Sequence, residues 1–245
     1  MRFLATTGST ADPDSLLKGT TLILPTVSIG NVPQAALDLV IATLRLSRIG
    51  SVECDLVEPI SGPLGLEHLP GKRCLPLEAY QTDDGRFTVI QQRSPILKHL
   101  SSEFTDELVD FIKNAKFSRI ILVASADADY RNDQQIEGPP VHIFSAHAET
   151  LAELTEKLVA LKISTVKVVP RIEPTSDGIG GKEGLSEELY HGSGIMPMMY
   201  LRCKDEGLPF VVLASFSFDC VDLQNSAKVA EALLELVDIE RPGQG

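Results

Sequence analysis

The stretch Leu22–Leu44, LILPTVSIGNVPQAALDLVIATL, shows the chain's hydrophobic patterning most clearly. Leu22-Ile23-Leu24 is a short apolar run stopped by Pro25, the pattern of a buried strand that reaches the edge of a sheet. Ser28-Ile29-Gly30-Asn31 then supplies turn residues, and Gly30 can take a positive φ without a Cβ clash. Asn31 is placed to cap a helix, and Pro33 sits where a first turn tolerates a missing N–H. From Gln34 to Leu44 the strongly polar side chains are Gln34 and Asp38. A helix this apolar needs burial on two sides, or a partner on one of them.

The same reading extends along the chain. Val52–Val57 alternates apolar and polar side chains and predicts a strand. Ser61–Lys72, with Gly62, Pro63, Gly65, Pro70 and Gly71, predicts a loop. Leu75–Tyr80 and Phe87–Gln91 flank Asp84-Gly85, a hairpin signal. Ser101 or Ser102 can start a helix to Ala115 with Phe104, Leu108, Phe111 and Ile112 on one face. Arg119–Ser125 (RIILVAS) reads as a buried strand, Val141–Ser145 as a shorter one, Glu149–Leu161 as an amphipathic helix, and Thr165–Val169 as a strand. Ile195–Glu206 is a further helix, Phe210–Ala214 a buried strand, and Val221–Val237 a last helix. Strands alternating with helices imply an α/β fold, with a mainly parallel sheet flanked by helices and a small antiparallel hairpin addition near 75–91. Residues 1–18, rich in Thr, Ser and Asp, read as a flexible tail. Residues 19–238 form one domain interrupted by a Pro- and Gly-rich flexible loop near 170–188, and 239–245 is a C-terminal tail.

Composition narrows the function classes. The formal net charge of −12 is spread without an acidic block. That balance disfavours nucleic acid, whose phosphates require clustered Lys and Arg. The absence of Trp removes the best stacking platform of a single-strand binder. Pro25, Gly30, Pro33 and Asp38 interrupt the longest apolar stretch, so no membrane span is expected. The four cysteines, Cys54, Cys74, Cys203 and Cys220, have no CxxC spacing. They read as reduced thiols of a cytoplasmic or nuclear protein.

Candidate chemistry is sparse. Gly192-Ser193-Gly194 reads either as an anion-binding nest before a helix or as a packing turn. Gly178–Lys182 lacks the spacing of a P-loop, and Glu183 stands where Ser or Thr belongs. His142 and His147 are five apart, so on a strand they face opposite sides, and no metal site is expected. Asp127-Ala128-Asp129 ends the RIILVAS strand, where open α/β sheets place ligands. Tyr130-Arg131-Asn132-Asp133 follows it. That segment reads equally as an interface hot spot or as a loop capping the next element.

Several islands together carry a family resemblance. Leu24, Pro25, Val27, Ser28, Gly30, Asn31, Val32, Gln34, Ala35, Asp38, Leu39, Ile41, Thr43 and Leu44 match an N-terminal signature, and Gln91-Gln92-Arg93-Ser94, Tyr130–Asp133 and Gly192–Ile195 follow in order. The chain thereby resembles the proteasome assembly chaperone 2 family. The resemblance implies a non-enzymatic chaperone without cofactor, metal or catalytic residues. It also implies a heterodimer with proteasome assembly chaperone 1, which binds proteasome α subunits and promotes assembly of the α-ring of the core particle, in cytoplasm and nucleus. Two departures stand out. The chain ends Arg241-Pro242-Gly243-Gln244-Gly245, without the hydrophobic–Tyr–X tail that can dock between α subunits in the family, so either the partner supplies that contact or this sequence is shortened at its end. Ser217-Phe218-Asp219-Cys220 replaces an acidic Gly-Asp-Asn loop.

The expected partner interface is Val27, Gly30, Asn31 and Gln34 with Tyr130, Arg131, Asn132 and Asp133. The competing expectation is an α/β enzyme for a nucleoside or phosphorylated small molecule, using Asn31, Arg93, Asp127 and the Gly192–Gly194 turn around one cleft.

Overall fold

The computed structural model describes residues 1–6, 12–131, 141–145, 147, 164–165, 189 and 191–236. In chain order these form β1 (Arg2–Ala5), α1 (Pro13–Leu17), β2 (Thr21–Pro25), a 3₁₀ turn at Ile29–Asn31, α2 (Val32–Thr43), β3 (Ser47–Glu53), β4 (Leu77–Gln81) and β5 (Phe87–Gln92). They continue with α3 (Ser101–Ala115), β6 (Arg119–Asp127), a 3₁₀ turn at Ala128–Tyr130, β7 (Val141–Phe144), β8 (Ser164–Thr165), α4 (Met196–Asp205), β9 (Phe210–Ser217) and α5 (Leu223–Leu236).

The described strands form one sheet in the order β1-β3-β4-β5-β2-β6-β9-β7-β8. Its centre, β5-β2-β6-β9, is parallel. Both flanks turn antiparallel, through β1–β3, β3–β4 and β4–β5 on one side and β7–β9 on the other. The expectation of a mainly parallel sheet is therefore corrected to a mixed one. No helix lies between β3, β4 and β5, and strands joined without a crossover helix pair antiparallel.

The sheet is covered on both faces. Period-two alternation sends Leu22, Leu24, Ile120, Leu122 and Val212 to one side, where Phe104, Leu108 and Ile112 of α3 and Met196, Met199 and Tyr200 of α4 pack on them. Ile23, Ile121, Val123, Val211 and Leu213 face the other side, under Val32, Leu37 and Ile41 of α2 and Val229, Leu233 and Leu234 of α5. Each fully buried aliphatic side chain contributes about 1.5–3 kcal/mol of transfer free energy. The apolar circumference of α2 is thus explained by the sheet below it and α5 beside it.

Three boundaries differ from the sequence reading. Residues 2–5 and 13–17, expected within a flexible tail, form an edge strand and a short helix. Phe3 pairs with Val52 and enters the core, a pattern too short to outweigh the polar residues around it. The strand expected at Val52–Val57 lies earlier, at Ser47–Glu53, because β1 and β4 hold that segment from both sides. Val57 makes only an isolated bridge to Ile96. The helix expected at 149–161, the loop near 170–188 and the tail at 239–245 lie outside the described residues, as does the 166–169 part of the strand expected at 165–169.

Candidate functional site

Three neighbouring parallel strands, β2, β6 and β9, end at one edge of the sheet and deliver three loops there. The strand register puts Pro25 beside Val123 and Asp127 beside Ser217, so residues 26–31, 127–131 and 217–222 converge. A fourth segment, 191–195 before α4, joins them.

Serine hydroxyls and backbone groups fix the loops to one another. The Ser125 hydroxyl donates to the Ile29 carbonyl at 2.5 Å. That commits its one proton, so Ser28 donates to Ser125 across their 2.8 Å contact. The Ser125 N–H returns a bond to the Ser28 oxygen at 3.1 Å. The Ile29 N–H donates to Gly192 O at 2.8 Å and the Asp127 N–H to His191 O at 2.9 Å. The His191 and Gly192 carbonyls thus tie this segment to the other two loops.

Two glycines show how close the approach is. Gly30 has φ +71° and a Cβ there would overlap the Ser217 hydroxyl, while Gly194 has φ +63° and a Cβ would overlap the Val27 carbonyl oxygen. Both positions need the left-handed backbone and the missing side chain. Asn31 follows with φ 51° at the N-cap position of α2, but its side chain makes no cap hydrogen bond.

Above this scaffold lies an exposed rim. Tyr130 stacks on His191 with ring centroids 3.7 Å apart. The Arg131 guanidinium lies 5.8 Å from the Phe218 ring centroid and its Nε donates to Ala128 O at 3.2 Å. Tyr130 is 47% exposed, Phe218 53%, Val221 69% and Leu223 68%. Asp127 accepts the Asp129 N–H at 3.0 Å and Asp222 accepts the Asn225 N–H at 2.9 Å. These two acids cap local turns, whereas Asp129 and Asp219 are exposed. His142 on β7 lies edge-on to Phe216 at 5.5 Å. Burial, and then the charge of Arg131, push its imidazole below the ordinary range.

A second polar assembly lies against the sheet beside α2. Arg93 donates to Asp38 through both terminal nitrogens, at 2.7 and 3.0 Å. Its Nε donates to Glu78 at 2.7 Å. Glu78 also accepts from Arg48 at 2.8 Å and from the Tyr80 hydroxyl at 2.9 Å. The Gln91 amide donates to Gln34 O and to Asp38, each at 2.8 Å. Burial and the neighbouring Glu78 raise the Tyr80 phenol above its ordinary value. For Arg93, burial opposes the charged form, but the bonds from Asp38 and Glu78 prevail and hold it protonated. Asp38 thus anchors the helix by a bidentate bond to the sheet.

Of the expected interface residues, Val27, Gly30, Tyr130 and Arg131 meet at the rim. Asn31 is exposed beside it. Gln34 lies one helical turn before Asp38, next to the ionic network. Asn132 and Asp133 lie outside the described residues, as does Gly178–Lys182. The cleft expected of an enzyme is not assembled as drawn, because the Arg93 guanidinium is engaged by Asp38 and Glu78. A cleft of about 350 Å³ lies elsewhere, bordered by Phe3, Leu17, Glu107, Asp110 and Phe111. Phe218, Val221 and Leu223 were not among the expected residues. Their signal is the run Phe-Asp-Cys-Val-Asp-Leu, in which apolar residues stand between acids in a connection where polar ones are usual.

A three-layer α/β domain with serine-laced loops carries an aromatic, apolar rim at one sheet edge. Comparison with known proteins places the chain in a family. The PAC2 family model matches residues 22–242, and the chain belongs to that family. A protein of Nematostella vectensis named proteasome assembly chaperone 2 is 31% identical over 226 residues, covering 90% of this chain and 88% of its own. The zebrafish (Danio rerio) protein of that name is 29% identical, with 97% and 90% covered. The human one is 26% identical, with 92% and 84% covered. Among solved structures, Pyrococcus furiosus PbaA, described as an archaeal homolog of proteasome-assembly chaperone, superposes with a TM-score of 0.65 at 18% identity, over 93% of this chain and 85% of PbaA. P. furiosus PbaB, described as an archaeal proteasome activator, gives 0.65 at 15%, over 98% and 89%. These structures share the fold.

Proposed function

We propose that this chain is a non-enzymatic assembly chaperone. In this reading it pairs with proteasome assembly chaperone 1, binds proteasome α subunits and promotes formation of the α-ring, in cytoplasm and nucleus. The observation that carries the reading is the family match over residues 22–242, together with relatives named proteasome assembly chaperone 2 that align along nearly their whole length. The rim is consistent with such work, since binding needs a preorganised surface rather than a reactive group. Val27, Gly30, Asn31, Gln34, Tyr130, Arg131, Asn132 and Asp133 are the proposed interface. Within it, Val27 and Gly30 shape the turn, and Tyr130 and Arg131 carry the contact area.

The test is affinity purification of the tagged chain from its own cells, with mass spectrometry of the bound proteins. Recovery of α subunits with a second chaperone, and little mature core particle, is the expected result. A well-folded bait that recovers neither would overturn the reading.

A further inference from the structure

We propose that Tyr130, Phe218, Val221 and Leu223 form the docking surface for a proteasome α subunit that presents an apolar side chain among lysines or arginines. The inference rests on the chaperone reading above and adds to it a surface and a recognition chemistry.

Position brings the residues together. β6 and β9 pair in register to their last residues, Asp127 and Ser217, so the chain continues from adjacent points into Tyr130 on one side and Phe218–Leu223 on the other. The Arg131–Phe218 contact bridges the two segments. Among the described residues, four of the five most exposed large apolar side chains lie in the two segments that meet at this rim, at 47–69% exposure. Large apolar side chains grouped at one place on a surface mark contact sites, whereas single ones carry no such meaning.

The scaffold below is stiff. Ser28, Ser125 and the Gly192 carbonyl lock the loops, and Gly30 and Gly194 leave no room for them to shift inward. Little ordering entropy remains to be lost on binding. The Tyr130 ring is held flat on His191, a rigid aromatic anchor of the type that dominates interface energetics.

Charge selects the occupant. The positive charge of Arg131 lies over the Phe218 ring, a cation–π arrangement. Asp129 and Asp219, each adjoining an anchor in sequence, remain exposed. With a formal net charge of −12 on the whole chain, a second copy is repelled and a basic surface is attracted. A partner with apolar area ringed by Lys and Arg meets both requirements, and the names of the relatives point to the proteasome as its source.

The experiment measures binding of the full chain to purified proteasome α subunits across a salt series, with binding to its partner chaperone measured in parallel. Val221→Ser with Leu223→Ser removes apolar area from positions that are already exposed. The expected loss of α-subunit affinity is about tenfold or more. Asp129→Lys with Asp219→Lys is expected to cost about as much at low salt and to flatten the salt dependence. Ile60→Ser, at an exposed apolar residue outside the rim, is expected to leave affinity unchanged. Unfolding midpoints confirm that each variant is folded. If both rim variants bind α subunits as the unaltered chain does, the docking surface is refuted and the chaperone reading stands. Loss of the partner chaperone alone, or of self-association alone, refutes the assignment to α subunits. Failure of the unaltered chain to bind any α subunit, both alone and paired with its partner chaperone, overturns both.

Discussion

The ionic network beside α2 and the rim at the ends of β2, β6 and β9 handle polarity in opposite ways. In the first, charge is inside. Glu78 is 0% exposed, yet two guanidiniums and a phenol hydroxyl satisfy it, and Asp38 closes the chain at the surface. In the second, apolar side chains are outside, while the hydroxyls that could face water bond to one another beneath them. Buried paired charge fixes the position of α2 on the sheet and offers little to a partner. Exposed apolar area adds little to folding and is available for contact. The two regions thus differ in kind: one holds the fold, and the other leaves apolar area exposed.

That difference is open to direct challenge. The largest effect is expected at Glu78. Glu78→Gln removes the charge that Arg48 and Arg93 share, and breaking a buried pair in this way destabilises by about 3–5 kcal/mol. Urea unfolding measures it, and a loss under about 1 kcal/mol would mean that the network is dispensable. Next comes Gly194→Ala, which meets the Val27 carbonyl and carries the left-handed penalty of about 1–2 kcal/mol. Gly19→Ala, with φ +79° but nothing within 4 Å, is the control that carries only the second part. Equal losses at the two positions would show that the close packing below the rim is not what Gly194 serves.

A smaller effect follows pH. His142 holds its folded-state pKa below the ordinary 6.5, first through burial and then through Arg131. The unfolded chain therefore binds a proton that the folded chain refuses. Stability is full above about 6.5 and declines as pH falls below it, by at most about 1.4 kcal/mol per pH unit from this group. His142→Phe is expected to flatten that part of the stability–pH curve, and an unchanged curve would exclude His142 as its source. The smallest effect belongs to the rim. Val221→Ser with Leu223→Ser is expected to change unfolding free energy by no more than about 0.5 kcal/mol per site, although binding falls. A large loss of stability would make these residues part of the core.

Much of the fold is legible in the sequence, for physical reasons that vary by element. RIILVAS reads as a buried strand because both faces are apolar, and β6 is covered on both. Asp84-Gly85 marks the β4–β5 hairpin, where Gly85 takes φ +69°. The mixed character of the sheet was hidden because strand direction depends on connections, and β1 and β3 meet only through tertiary pairing. Glu78, Arg93 and Asp38 do not announce one another in sequence, since three separate elements bring them together. At the site, Gly30, Tyr130 and Arg131 were visible as a turn and an aromatic–guanidinium pair. Phe218, Val221 and Leu223 were not, because only the folded chain shows which apolar residues the core leaves out.

The most direct measurement follows α-ring formation from purified proteasome α subunits on native gels, with and without this chain and its partner chaperone. More complete rings and less premature association are expected when the pair is present, with loss of that gain for Val221→Ser and Leu223→Ser. Ring yield that is the same with and without the chain would contradict the chaperone reading.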